Sequence, residues 1–321
     1  MSNVEAEPAE LTCGGPPGGP VEVLEARSVP LGGPRAMPVR RTLPQRKRSL
    51  IGAWCFADHY GPVDPAVSGG MSVGPHPHTG LQTVSWLFAG EIEHRDSLGT
   101  HAMVRPGELN LMTGGRGICH EEVSTPETTA LHGVQLWVAL PEEHRHTGRG
   151  FQHHAPPVTA LPGATARVFL GTLAGETSPV RTYSPLLGAE LVLAPGADLT
   201  LETEAGFEHG LLVDSGEVTF AGTPLGSTQL GYLGTGHATL AVRNRAAVPA
   251  RVLLLGGPPF GEEILMWWNF VARSHEEIVA FREAWEAGAE QFGAVEPHPG
   301  GPARLPAPAL PAVRIRPRPN H

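Results

Sequence analysis

Cysteine is scarce in this 321-residue chain, with Cys13, Cys55 and Cys119 its only thiols. Three cysteines without a C-x-x-C spacing form neither an even disulfide framework nor a thiolate zinc site, so a reducing compartment is expected. Also missing is any apolar run of about eighteen residues, the length a spanning helix needs. The first residues, MSNVEAEPAELTCGGPPGGP, carry acidic side chains and no apolar segment. Neither secretion nor membrane insertion is expected, and the chain reads as cytoplasmic. Positive charge is in deficit: 23 Lys and Arg against 32 Asp and Glu give a formal charge of −9. Affinity for the phosphate backbone rests on Lys and Arg, so sequence-specific DNA binding is not expected. One local exception is RRTLPQRKRS, where Arg40, Arg41, Arg46, Lys47 and Arg48 crowd together. It reads as a patch for an acidic partner or, more commonly for such runs, as a solvated loop or edge strand.

What the chain does have is turn residues, 41 Gly and 33 Pro, set between short apolar runs. That punctuation predicts an all-β protein, and the length allows one large or two medium domains. QTVSWLFAGEIEHRD, GELNLMTGG, ICHEEVS and LHGVQLWVAL predict strands from about 82 to 140. A second series follows in ARVFLGTL, AELVLAPGADLTLETE, HGLLVDSGEVTFAG, ATLAVRNR and ARVLLLGG. WLFAGEIEH around Gly90 and LLVDSGEVTF around Gly216 share one phrase, which predicts a duplicated β-barrel or sandwich. Helix is expected only over 274–292, where Ser274 and Glu277 form a capping box and Ile278, Phe281, Trp285 and Phe292 make a core-facing stripe. The Pro- and Gly-rich segments 1–20 and 294–321 are expected to be disordered or extended.

GPHPHTGLQTVSW places His76 and His78 two apart, on one side of a strand, with Pro77 pointing away. GRGICHEEV repeats the spacing with His120 and Glu122, while Cys119 and Glu121 face the other way. Two neighbouring strands of this kind bring three imidazoles and one carboxylate to a point. Such a set without thiolate suits Fe, Mn, Ni, Cu or Zn, and a mixed N/O site leaves positions for substrate. Either dyad alone is open to coincidence, since the chain holds 16 His and 32 acidic residues. The pair together favours a shared site.

HPHTGLQTVSWLFAGEIEHRDSLG, PGELNLMTGGRGICHEE and HGVQLWVALP resemble the pirin family, as do FADHYGP and GGPPFGEEILMWWNFV; the likeness runs over about residues 30–290. The resemblance implies a bicupin: two tandem cupin-type barrels, an N-terminal metal-binding cupin over 21–155 and a metal-free C-terminal cupin over 156–293 that ends in the helix. It implies one non-haem iron (Fe2+) per chain, held by His76, His78, His120 and Glu122, with Mn, Ni, Cu or Zn as alternatives. Counting back from Gly216, the second barrel carries Glu202 and Glu204 where the first has the two histidines, and His237 lies in no H-x-E.

The family is described both as flavonol (quercetin) 2,3-dioxygenases and as transcriptional co-regulators, so two functions stand side by side. In the first, a flat aromatic substrate and O2 meet at the metal, Glu122 takes the substrate's hydroxyl proton, and the flavonol ring is cleaved with release of carbon monoxide. In the second, the metal is structural or redox-responsive and the surface engages a regulatory protein or a metabolic enzyme. A monomer is expected. Trp86, Phe88, Met112 and Trp137 are candidate pocket residues, though strand aromatics are more often core. His132 and Gln135 could line the pocket or brace a ligand. Cys119 reads as a small buried hydrophobe and Arg116 as a turn residue or a flank of the mouth. His144, His146, His153, His154, His209 and His237 read as surface or packing, while His59, His94 and His101 stay open.

Overall fold

The computed structural model describes residues 21–31, 37–68, 70–300 and 304–317. The expected tail 1–20 lies outside them. The chain builds two barrels, each of one seven-stranded and one four-stranded antiparallel sheet. In the first barrel the large sheet runs Gly150–His154, Leu109–Thr113, Leu81–Ala89, Leu131–Ala139, Trp54–Val63, Pro38–Leu43, Arg27–Pro30. The small sheet facing it runs Ser72–His78, Ile118–Ser124, Ile92–Asp96, His101–Val104. The second barrel repeats this plan, and the shared phrase falls on equivalent turns: Gly90 and Gly216 have φ of +87° and +83°, which only glycine adopts without strain.

The two large sheets pack against each other, which explains why strand Leu131–Ala139 is buried nearly throughout: one face serves the first barrel's interior and the other the core between barrels. Trp54, Val84, Trp86 and Leu136 meet Phe169, Leu212, Leu253 and Leu255 there. The polar edges of the tryptophans are satisfied across the same surface. Trp54 Nε1 donates to the Leu187 and Gly256 carbonyls at 3.2 Å, and Trp86 Nε1 to Glu190 Oε2 at 2.8 Å.

The barrels exchange their ends, which the 21–155 and 156–293 division does not anticipate. Val21–Leu24 pairs with Leu230–Leu233 and completes the second barrel's sheet. In return, Phe270 bridges Thr79, Val271 N donates to Thr79 O at 3.0 Å, and Phe270, Trp285 and Phe292 cluster with Cys119 on the outside of the first barrel. The helix is His275–Glu286, shorter than the expected 274–292. Gly288, at φ +69°, follows its end, yet Phe292 still joins the cluster through the next turns. Ser274 Oγ accepts from Glu277 N at 3.3 Å, but the Glu277 carboxylate accepts from Arg273 N at 2.8 Å, one residue before the expected box.

Of the two expectations for 294–321, disordered or extended, residues 304–317 take the extended one. This extended segment is clipped to the helix and to the first barrel: Leu305 N donates to Pro75 O (2.9 Å), Trp285 Nε1 to Leu305 O (2.9 Å) and Arg282 Nε to Pro308 O (2.7 Å). Ala307 is buried and Leu305, Leu310 and Ile315 pack beside it. Proline-rich chain loses little entropy on becoming extended, so a few well-placed donors suffice to order it. The basic cluster is likewise dispersed. Arg41 pairs with buried Asp58, Arg40 donates to Gly61 O, and Arg48 pairs with Glu22 while lying 3.6 Å over the Tyr232 ring, so only Arg46 and Lys47 of the five are exposed.

Candidate metal centre

Strands Ser72–His78 and Ile118–Ser124 are antiparallel neighbours with His120 opposite His76. Their register slips between His120 and Glu122, because Gly74 and Pro75 form a bulge that sets Val73 opposite Glu122. The bulge frees the Gly74 carbonyl, which accepts from His76 Nδ1 at 2.8 Å. Three members of the two dyads come together: a nitrogen from each of His76, His78 and His120 lies within 4.8 Å of the others, all buried, while the Glu122 carboxylate groups in the same way with His120 and His94. Their ring centroids are 4.3–5.1 Å apart.

Chemically, these residues fit a divalent cation. With its proton on Nδ1, His76 turns a bare Nε2 inward, and that buried atom has no hydrogen-bond partner. His78 Nε2 and His120 Nε2 approach to 3.0 Å. Burial pushes the His76 imidazolium down to about 3 and holds His78 and His120 well below the usual histidine range, so all three rings are neutral, the form that binds a metal. Glu122 is fully buried. From the opposite sheet, Ser85 Oγ lies 3.2 Å from Glu122 Oε1 and 3.0 Å from the Gln135 side-chain amide. With one proton to give, the Ser85 hydroxyl stands between two acceptors, Glu122 Oε1 and Gln135 Oε1. Trp137, stacked on Phe56 at 4.0 Å, sets its ring 5.2 Å from His78.

Some expected residues lie elsewhere. Trp86 faces the core between barrels, and Phe88 packs edge-on against His132, so neither lines the site. His132 braces nothing near Glu122; its Nε2 and that of His59 lie 2.6 and 2.8 Å from Asp214 Oδ1, across the barrel boundary. This trio has metal-like spacing. However, Arg40 Nη2 lies 3.4 Å from His59 Nδ1, which requires a lone pair there and puts the His59 proton on Nε2, facing Asp214. Arg251 Nη1, 3.4 Å from Asp214 Oδ2, adds a second cation, so the group is a hydrogen-bonded ion cluster joining the barrels. Cys119 is buried with its thiol pushed up to about 12, as a packing residue would be. In the second barrel Glu202 and Glu204 are exposed, and the interior is filled by side chains such as Leu191, Leu199, Leu211 and Leu254. His209 is buried there, whereas His144, His146 and His153 are exposed. Sequence reasoning passed over Ser85 and Asp96 and left His94 open, although HRD at 94–96 repeats the two-residue spacing inside the quoted motif.

The buried neutral rings carry a pH dependence. Burial holds His59, His76, His78, His120 and His209 below the ordinary value, so between that value near 6.5 and the lower folded one the unfolded chain binds more protons. Stability is therefore complete above pH 6.5 and falls with acidification, by about 1.4 kcal/mol per pH unit for each such group. Asp214 adds loss at lower pH: burial would raise its pKa, but hydrogen bonds from His132 and His59 hold it well below the carboxylate range. Melting of metal-free protein should be flat from pH 8 to 7 and drop steeply from pH 6.5 to 5. An unchanged Tm over that second interval contradicts neutral buried rings.

Comparison with known proteins agrees with this architecture. The pirin family matches residues 36–138, and the pirin C-terminal cupin domain matches residues 188–293. A Pseudomonas aeruginosa protein named "Putative quercetin 2,3-dioxygenase PA1205" is 46% identical over 289 residues, covering 90% of each chain. A pirin-like protein of Caulobacter vibrioides is 36% identical, over 83% of this chain and 93% of its own. Among solved structures, quercetin 2,3-dioxygenase from Acinetobacter baumannii superposes with a TM-score of 0.87 at 37% identity, over 93% of this chain and 98% of that one. The matches take in both barrels and run along nearly the whole length of these relatives, and on that ground the chain belongs to the pirin family.

Proposed function

We propose that this pirin is a metal-dependent oxygenase of the quercetin 2,3-dioxygenase type, with His76, His78, His120 and Glu122 holding one ferrous ion in the first barrel. The observation that carries the reading is the convergence of three buried, neutral imidazoles, His76, His78 and His120, on adjacent strands, with the buried Glu122 carboxylate next to His120. The names of the Pseudomonas and Acinetobacter proteins support the substrate class, a flavonol-type enolic aromatic. When bound, the metal would supply Lewis acidity toward an enolic hydroxyl and a redox partner for dioxygen. The chain's own part is positional and protolytic. Gly74 fixes the His76 tautomer, Ser85 and Gln135 hold Glu122 from the opposite sheet, and Glu122 accepts the proton of the substrate hydroxyl. The barrel excludes bulk water, which strengthens each of these interactions.

The reading requires metal in one barrel only. Purified protein is expected to carry close to one equivalent of transition metal per chain, and His78→Ala to lose it, because the substitution removes one of the three grouped imidazoles. Elemental analysis checks this, and two tightly held equivalents would refute it. The function itself is tested by oxygen uptake and flavonol loss in the iron-loaded protein. Full iron occupancy with no oxygen-dependent consumption across a panel of flavonols and other enediol-like compounds would sink the oxygenase and leave a binding protein.

A further inference from the structure

Three dyads of one spacing lie on adjacent strands: His76 with His78, His120 with Glu122, and His94 with Asp96. The third has no part in the function proposed above. His94 is opposite Glu122 and Asp96 opposite His120 in the strand register, and both are buried, at 2% and 4% exposure. We propose that His94 is a positioning residue for the centre, which takes the Nδ1 proton of His120 and so turns the His120 Nε2 lone pair toward His76 and His78, with Asp96 fixing His94 in the tautomer that does this. The inference rests on the reading that His76, His78, His120 and Glu122 hold a metal.

Each step is dictated by the one before it. The Asp96 carboxylate is anchored by its own turn: Oδ1 accepts from Leu98 N at 2.8 Å and Thr100 N at 3.2 Å, and Gly99 N donates to the Asp96 carbonyl at 3.0 Å. Its other oxygen, Oδ2, lies 3.2 Å from His94 Nε2. An ionised carboxylate only accepts, so His94 carries its proton on Nε2 and its lone pair on Nδ1. That lone pair lies 3.4 Å from His120 Nδ1, which must therefore be the donor. A neutral His120 with its proton on Nδ1 has a bare Nε2, the atom 3.0 Å from His78 Nε2. The Nδ1–Nδ1 distance is long for a hydrogen bond, so the contact adds little stability. Its weight lies in selecting one of two tautomers, and a ring in the other tautomer cannot ligate through Nε2. Phe151, with its ring 5.0 Å from that of His94, holds the orientation from the other side.

His94 also lies close enough to His120 and Glu122 to be a ligand itself, and the test separates the two roles. His94→Leu keeps the volume and removes the acceptor, whereas His94→Asn places a carbonyl oxygen near the former Nδ1. Nitrogen-15 histidine spectra of the metal-free protein should show His120 protonated on Nδ1 in the parent and in His94→Asn, and shifted toward Nε2–H in His94→Leu. Cobalt(II), titrated against a competing chelator, should bind His94→Leu about ten- to a hundredfold more weakly than the parent and His94→Asn within a few-fold of it. Parent-like cobalt affinity in His94→Leu, or a parent His120 protonated on Nε2, overturns the proposal. Equal loss in both variants with an altered cobalt absorption spectrum also overturns it, since His94 would then be a ligand. A parent that binds no cobalt at all removes the underlying metal reading as well, which is a different result from a parent that binds while the variants do not differ.

Discussion

Glu122→Gln is expected to cut flavonol turnover by about a hundred- to ten-thousandfold, the range that general-base removal produces, while much of the metal is retained. The amide keeps the size of the side chain and can still meet Ser85 Oγ, 3.2 Å from Oε1, but it cannot take a proton at working pH. Three imidazoles remain to hold the ion. His76→Ala is the control that behaves otherwise: it removes the inward-facing Nε2, so metal and activity should fall together. Iron occupancy, oxygen uptake and flavonol loss are to be read on the same samples, prepared without air. Glu122→Gln that turns over as fast as the parent at full occupancy would show that the carboxylate is not the base.

The largest expected loss of stability comes from Asp58→Ala, at about 3–5 kcal/mol, because it removes the carboxylate that meets a buried guanidinium through two hydrogen bonds. Arg41 is 2% exposed and Asp58 fully buried; Arg41 Nε and Nη2 meet the two carboxylate oxygens at 2.7 and 2.8 Å. The guanidinium also lies 4.4 Å over the Phe56 ring, and Phe56 stacks on Trp137 beside His78. Loss of Asp58 should therefore loosen the wall opposite the centre as well as lower the midpoint of denaturant unfolding. The double replacement Arg41→Met with Asp58→Leu is expected to recover most of the loss, since the buried guanidinium is then removed with its carboxylate. A single variant that unfolds within about 1 kcal/mol of the parent would mean the pair is solvated in a way its burial does not allow.

Much of this was legible in the chain because it depends on short-range periodicity. Turn glycines such as Gly90 and Gly216 need positive φ, and residues two apart on a strand share a face whatever lies around them. Both facts are properties of a few consecutive residues. The placement of His76 with His78 and of His120 with Glu122 on one strand face each, and the repeated strand–turn–strand phrase, followed from them. Trp86 and Trp137 show where this stops. Both are buried strand aromatics, and nothing local says that one faces the other barrel while the other faces His78.

The tertiary structure alone decided which distant segments complete each other. Val21–Leu24 joins a sheet some two hundred residues further on, and Phe270, Trp285 and Phe292 with Leu305, Ala307 and Ile315 return to cluster with Cys119 on the strand that carries His120. Pairings of this kind are selected by the free edge and the apolar surface that the rest of the fold leaves uncovered, and neither exists until the barrels have formed. The same holds for polar groups. Arg40, Arg41 and Arg48 look like a basic patch in sequence because charge is counted along the chain, whereas Gly61 and Asp58 are brought to the first two by sheet register and Glu22 reaches Arg48 from the strand that joins the second barrel. His76, His78, His120 and Glu122 could be chosen from spacing; that Ser85, Gln135, His94 and Asp96 hold two of them in orientation depended on which strands came to lie beside and across from theirs.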